Sequence, residues 1–140
     1  MKDHAILKEK MDKLINIMLV DGVQPSDLAD NIFQKPYKKI TIINKKDFFY
    51  LDLVFEEDID DKIVKTTLRY TYNNDKKLIR IELINGKTKK VEWDRDSTVT
   101  QLIREIINIL NTDKNNQRVL DFINSLPEYW QQKFSCQKVA

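Results

Sequence analysis

Glycine, histidine and cysteine are the residues that this sequence almost lacks. It has two glycines, Gly22 and Gly86, where average usage would give about ten in 140 residues. A Walker-type phosphate loop and a dinucleotide-binding fingerprint each need several glycines close together, which excludes both. The single His4 and the single Cys136 exclude zinc sites of the Cys/His kinds, a disulfide within the chain and most Ser-His or Cys-His chemistry. We therefore expect a protein that is not an enzyme and that holds no cofactor and no metal.

Long apolar runs are absent as well. The longest uncharged one, residues 14–20, is far shorter than the ~20 residues that cross a bilayer. Seven of residues 1–14 are charged, so this segment lacks the apolar stretch of a secretory signal. A lone thiol is typical of a reducing compartment. From these features we expect a cytoplasmic protein with no membrane partner.

Neither sign of charge dominates, since 24 basic and 22 acidic side chains leave a net charge of +2. The apolar fraction of 41% is enough to fill a core, and the length predicts a single domain over residues 1–140. Lysine outnumbers arginine by 19 to 5, and isoleucine and asparagine are abundant. This bias is typical of AT-rich coding sequences and favours a bacterial, phage or mobile-element origin.

Helical spacing opens the chain. Apolar residues recur at steps of three and four from about Asp3 to Val20, namely Leu7, Met11, Leu14, Ile15 and Met18. Gly22 is suited to the left-handed conformation that ends a helix. A second helix is predicted over residues 25–33, with Pro25 in its first turn and Pro36 after its end. Residues 22–29 also resemble the first half of a helix-turn-helix, but residues 40–43 have strand character where a recognition helix would be needed, so a helical hairpin is favoured.

Apolar and polar residues then alternate with period two. Alternation over residues 47–56, 63–72, 79–83 and 90–93 predicts four strands, after a first strand at residues 37–43. Asn85-Gly86 between two such runs is a strong hairpin signal. The pattern predicts a five-stranded antiparallel meander with one apolar face and one mixed face.

Helical patterns return after the strands. Thr98 and Gln101 form a capping-box pattern at the start of a wide apolar stripe, and residues 119–126 mark a following helix. Residues 125–128 are typical of a cap that opens a last short helix. The predicted class is α+β, with an N-terminal helical hairpin, the five-stranded meander, and two to three C-terminal helices packed on one sheet face.

The most acidic segment is residues 56–61, in which five of six side chains are carboxylates. Its spacing does not match an EF-hand loop, because it has no central glycine. The segment lies where two strands must be joined, so a solvated hairpin loop is favoured over a metal site. Such a loop is also a surface that a basic partner can recognise.

The mixed face is the principal candidate interaction surface. Alternation places two aromatic residues and four cations on it, namely Phe48, Tyr50, Lys65, Arg69, Arg80 and Lys90. Asp52, Glu82 and Glu92 fall on the same face and reduce its charge to +1, which favours cross-strand ion pairs over a groove that follows phosphates. At the C-terminus, Tyr129 and Trp130 either lock the last helices onto the core or, if exposed, anchor a partner.

These features predict a non-catalytic interaction module, such as an adaptor, a chaperone-like binder or an inhibitor of another macromolecule. Its expected partner is another protein, and a self-complementary patch would make it a homodimer. The alternative is a protein that binds single-stranded DNA or RNA on the mixed face, with Phe48 and Tyr50 as the stacking platform.

Overall fold

The computed structural model describes residues 2–29, 37–112 and 116–135. Its elements, in chain order, are α1 (Lys2–Leu19), α2 (Pro25–Ala29), β1 (Lys39–Asn44), β2 (Phe48–Ile59), β3 (Lys62–Asn73), β4 (Leu78–Asn85), β5 (Thr88–Asp94), α3 (Arg95–Asn111), α4 (Asn116–Ser125) and α5 (Glu128–Ser135). The α+β class, with helices before and after a five-stranded antiparallel sheet, is confirmed. None of the described helices has both the length and the apolar character that a membrane crossing requires.

The chain divides into two compact units. A helical unit comprises residues 1–14 and 101–140, and a sheet unit comprises residues 15–100. The expectation of one domain over residues 1–140 stays a prediction. Within the helical unit, Lys10 Nζ lies 2.6 Å from Glu105 Oε2, and α4 contacts α5. The buried apolar side chains of this unit are Leu14, Ile103, Ile106, Leu110, Ile123, Leu126 and Phe134.

The sheet has the strand order β1-β2-β3-β4-β5, and every neighbouring pair is antiparallel. Because directly paired residues share a side of the sheet, the register defines two faces. The apolar face carries Ile40, Ile42, Phe49, Leu51, Leu53, Leu68, Tyr70, Tyr72, Leu78, Ile81, Leu83, Lys90 and Trp93. The mixed face carries Phe48, Tyr50, Asp52, Val54, Thr67, Arg69, Thr71, Arg80, Glu82, Ile84, Lys89 and Val91.

The core of the sheet unit lies against the apolar face. Leu28 of α2 belongs to one buried cluster with Leu51, Leu53, Tyr72 and Leu78. In the connection between α1 and α2, the backbone at Gly22 packs closely against Leu78 of β4. Gly22 adopts a φ of +88°, and a Cβ at this position would lie 2.8 Å from the Leu78 Cβ. Glycine is therefore required by both conformation and space, which confirms its predicted left-handed role.

The start of α3 differs from the prediction. The Ser97 backbone N–H donates to Asp94 Oδ1 at 3.2 Å, and the Thr98 hydroxyl donates to the Asp94 carbonyl at 2.8 Å. Asp94 is thus the N-cap, and the predicted start at Thr98 is wrong. The capping-box pattern at Thr98 was misleading because an aspartate three residues before Ser97 makes the same kind of bond one turn earlier.

One further boundary differs from the prediction, and another cannot be compared with it. The second helix is described from Pro25 to Ala29, and its predicted continuation to residue 33, with Pro36, lies outside the described residues. The second half of the helix-turn-helix resemblance falls partly on the same segment, and the strand expected from Tyr37 begins at Lys39. Cys136 also lies outside the described residues.

Candidate interaction surfaces

An ion pair occupies the middle of the mixed face. The register sets Asp52, Arg69 and Glu82 side by side on the three central strands. Arg69 donates from Nε to Asp52 Oδ1 at 2.8 Å and from its terminal nitrogen to Asp52 Oδ2 at 2.9 Å. These hydrogen bonds raise the pKa of Arg69, while burial acts in the opposite direction. A bidentate ion pair of this kind fixes both side chains and neutralises their charges at the centre of the face.

The same arginine covers the principal aromatic candidate. Its guanidinium carbon lies 4.9 Å from the centre of the Tyr50 ring, and Tyr50 is half-buried. Phe48, which lies two residues before Tyr50 on the same face of β2, is 41% exposed. One face of the Tyr50 ring is therefore occupied within the protein, which leaves Phe48 as the more open aromatic of the two.

The other cations of the mixed face are paired as well. Arg80 Nε lies 3.1 Å from Asp94 Oδ2, and Lys89 Nζ lies 3.2 Å from Glu82 Oε2. The cross-strand ion pairs expected for this face are thus present, with partners that differ in part from the predicted set. Most charged side chains of the mixed face are therefore paired with one another.

Lys90 was expected on the mixed face, and this placement is wrong. The pairing of β4 with β5 shifts between Ile81 and Glu82, so that Lys90 lies opposite Leu83 on the apolar face. Lys89 takes the place on the mixed face, opposite Ile84. The extra residue of a β-bulge reverses the alternation beyond it, and period-two counting cannot detect this reversal.

Beyond the mixed face, β2 and β3 continue past their neighbours. β1 pairs with β2 only as far as Val54, and β4 pairs with β3 only as far as Thr66. Residues 56–65 therefore form a two-stranded hairpin whose two outer edges have no pairing strand among the described residues, and we call this hairpin the arm. At about 3.3 Å per residue, it extends roughly 15 Å beyond the sheet.

The arm ends in a two-residue turn. Asp60 and Asp61 have φ values of +51° and +64°, and Ile59 pairs with Lys62 directly across the turn. Two consecutive left-handed residues twist a hairpin in the same sense as its strands, and aspartate tolerates this conformation better than most residues. The predicted strand ended at residue 56, so the prediction of a loop is wrong for residues 57–59, which are strand.

The surface of the arm is acidic and partly apolar. None of its five carboxylates forms an ion pair with any residue that the structure describes. Both isoleucines of the arm are exposed, Ile59 by 47% and Ile63 by 74%. Lys65, the remaining predicted cation, lies at the base of the arm, opposite Glu56.

The arm carboxylates do not converge on one point. Alternation places Glu56 and Asp58 on the side of the mixed face and Glu57 on the other side. Across the described ranges of the chain, no three His, Cys, Asp or Glu side chains form a group that would hold a metal ion.

The C-terminal aromatic pair belongs to the helical unit. Tyr129 is 60% exposed, and its ring meets that of Trp130 edge-on at 4.9 Å between centres. Lys133 Nζ lies 5.0 Å from the centre of the Trp130 ring. Tyr129 is therefore the more exposed member of the pair, and Trp130 lies close to both Tyr129 and Lys133.

Two clefts lie in the sheet unit. Among the described residues, the lining of a cleft of about 360 Å³ beside Phe49 and Tyr72 includes Lys76 but no carboxylate and no histidine. The Tyr72 hydroxyl donates to the Val23 carbonyl at 2.8 Å, and burial raises the pKa of Tyr72 well above its usual range. A second cleft, of about 310 Å³, is lined by Trp93 and Arg95, and Arg95 donates to backbone carbonyls. Both polar side chains thus have structural partners.

Comparison of the chain with protein-family models, with curated proteins and with solved structures finds no match. The geometry of the arm and of the mixed face is therefore the basis on which function is inferred.

Proposed function

We propose that this protein is a non-catalytic, cytoplasmic interaction module that binds another protein, and that the arm is its binding element. One observation carries the proposal. The arm holds exposed isoleucines and two strand edges that pair with no described strand. Unpaired edges are templates for the addition of another strand, and natural proteins usually shorten or cover them.

The energetics of folding support this role. An isolated two-stranded hairpin is marginally stable in water, and the arm gains no packing from neighbouring strands. Burial of a large aliphatic side chain contributes about 1.5–3 kcal/mol, yet Ile59 and Ile63 stay exposed. A partner that covers the arm would recover this contribution.

Charge supports another protein over a second copy of this chain. Two arms side by side would bring their carboxylates opposite each other, and like charges opposite each other on strands are destabilising. An adaptor, a chaperone-like binder and an inhibitor all fit a binding arm. The single thiol of the sequence supports a reducing, cytoplasmic location.

The alternative, binding of single-stranded DNA or RNA, has weaker support. A single-strand binder needs open aromatic faces beside unopposed cations. Here Arg69 and Arg80 are paired with carboxylates, and Arg69 covers a face of Tyr50. We expect no binding in fluorescence anisotropy with labelled single-stranded DNA or RNA at low or physiological salt. Micromolar binding that is lost in Tyr50→Ala would bring this alternative to first place.

The arm is tested by its removal. The pair Phe55 and Thr66 has the same register as Ile59 and Lys62, which flank the natural two-residue turn. Replacing residues 56–65 by Asn-Gly therefore closes the hairpin at its base with a favoured turn. A displayed library of random peptides is selected on the intact chain, and the enriched peptides are then measured on the shortened one.

We expect at least a tenfold loss of affinity on the shortened chain. Tyr129→Ala, which truncates an exposed aromatic of the helical unit, is the control and should bind as the intact chain does. Thermal unfolding of each variant checks that the fold is kept. Equal binding by the intact and shortened chains would contradict the role of the arm. A loss confined to Tyr129→Ala would move the binding surface to α5.

A further inference from the structure

The proposed function is the basis of a more specific inference about its partner. We propose that the outer edge of β2 in the arm, residues 55–59, binds an extended basic segment of the partner as an added strand. Lysine or arginine side chains at alternate positions of that segment would lie beside Glu56 and Asp58. Both the backbone and the side chains of this edge support the assignment.

The direction of the backbone groups follows from a bond at the base of the arm. The Lys38 N–H donates to the Val54 carbonyl at 2.7 Å, so the polar groups of Val54 face the side of β1. Groups two residues apart on a strand point the same way. The N–H and C=O of Glu56 and Asp58 therefore point to the outer edge, where no described strand meets them. Four backbone groups are thus available to an added strand.

The side chains of the β2 edge determine which residue types an added strand should carry. Glu56 and Asp58 lie on the same side of the arm and form no ion pair within the described part of the chain. Residues two apart on a strand are separated by about 6.6–6.8 Å, the same spacing as alternate residues of an added strand. Opposite charges directly across two strands are stabilising, so basic residues at alternate positions fit this edge.

The opposite edge of the arm is a poorer match. There the outward-facing residues of β3 are Ile63 and Lys65, because the intervening Val64 faces β2. A basic segment on that edge would meet the Lys65 ammonium in place of carboxylates. A second copy of this arm would bring carboxylates to carboxylates. The β2 edge and a basic partner are therefore the favoured combination.

Synthetic peptides test the inference on the intact protein. One peptide carries four lysines at alternate positions between threonine and valine residues, and a second has the same composition with the lysines contiguous. Binding is measured by fluorescence anisotropy at physiological salt. We expect the alternating peptide to bind about tenfold more tightly, since only its lysines share one face of an added strand.

Two double variants separate this geometry from general attraction to an acidic hairpin. Glu56→Gln with Asp58→Asn removes two charges from the β2 edge, whereas Asp60→Asn with Asp61→Asn removes two charges from the turn. Asparagine tolerates the left-handed turn conformation, so both variants are expected to keep the hairpin. The edge variant should weaken binding of the alternating peptide by about tenfold and the turn variant by less than about threefold.

The backbone is tested in the peptide. Methylating the amides that face β2 should abolish binding, and methylating the intervening amides should leave it within about twofold, because only the first set donates to the arm. Equal losses in the two double variants, or binding that ignores methylation, would overturn the added strand in favour of diffuse charge attraction.

Failure of this inference can be distinguished from failure of the proposed function. If library peptides need the arm but are not basic, the inference falls and the interaction module stands. If no peptide depends on the arm, both fall. Arm-dependent self-association in analytical ultracentrifugation would overturn the inference in favour of a second copy.

Discussion

Strands β2 and β3 run side by side for twelve residues each, but the inner eight residues of each strand and the outer four, which belong to the arm, lie in different surroundings. In the inner part, Leu53 is 1% exposed and Asp52 is bonded to Arg69. In the arm, Ile63 is 74% exposed and the carboxylates have no ion-pair partner among the described residues. Both parts keep the same antiparallel register.

The difference arises from the neighbours. Among the described residues, β1 and β4 flank only the inner part and stop before the arm, so aliphatic side chains are buried in the inner part and exposed in the arm. Stability is therefore concentrated in the inner part. The exposure of the arm is consistent with the binding role proposed for it.

The free energy of unfolding should differ most between substitutions at a buried and at an exposed aliphatic residue. Leu53→Ala should lower the free energy of unfolding by about 3 kcal/mol, through lost burial and a cavity. Ile63→Ala should change it by less than about 0.5 kcal/mol, because its side chain is already in solvent. Urea unfolding followed by circular dichroism measures both. A loss above about 1.5 kcal/mol for Ile63→Ala would show that the arm is packed in solution.

The next comparison is between two aspartates of β2. Asp52→Asn should cost about 2 kcal/mol, because it leaves the Arg69 guanidinium half-buried without its carboxylate. Asp58→Asn in the arm should cost less than about 0.5 kcal/mol. The same unfolding experiment measures both variants. Similar costs for the two would mean that the ion pair at the centre of the mixed face contributes no more than an exposed charge.

A smaller effect compares carboxylates by their dependence on pH. The hydrogen bond from Lys10 lowers the pKa of Glu105, so the folded state binds a proton there less readily than the unfolded state does. The resulting stability is present above the unfolded pKa, near 4.3, and is lost as pH falls through the lower folded value. Because both side chains are partly exposed, it should be about 0.5–1 kcal/mol.

Glu105→Gln tests this directly. Its free energy of unfolding should fall below that of the intact chain at pH 7, and the difference should shrink at about pH 3. Glu57→Gln, in the arm, should differ from the intact chain by less than about 0.5 kcal/mol at pH 7. A difference for Glu105→Gln that does not change with pH would argue against the ion pair.

The smallest expected effect is local to the arm. Asp61→Gly places the favoured residue at a left-handed turn position, which should stabilise the hairpin by about 0.5 kcal/mol. The hydrogen-exchange rate of the Val64 amide, which faces β2, should fall by about twofold, while that of the Leu51 amide in the inner part should not change. A lower rate at both amides would show that the arm and the inner part open together.

Much of the fold is predictable because its signals are local. Helical spacing over residues 3–20, period-two alternation in the strands and the left-handed Gly22 all depend on residues close in sequence. The placement of Phe48, Tyr50, Arg69 and Arg80 on one face followed from alternation alone. The expectation of ion pairs followed from the opposite charges on that face.

The arm was missed because its acidic residues have low strand propensity and resemble a loop. One signal was available, since Ile59 and Ile63 flank a short acidic turn that two residues can close. Lys90 was misplaced because a bulge depends on how β5 meets β4, which no count along one strand reveals.

The class of fold, the order of its elements and the two-sided character of its sheet follow from the amino-acid sequence, because periodicity and turn residues act over a few positions. Tertiary contacts set which part of β2 and β3 is covered, which partner each charge takes and where the alternation reverses. These outcomes depend on where neighbouring strands stop, and a strand end is fixed by contacts between residues that are distant along the chain.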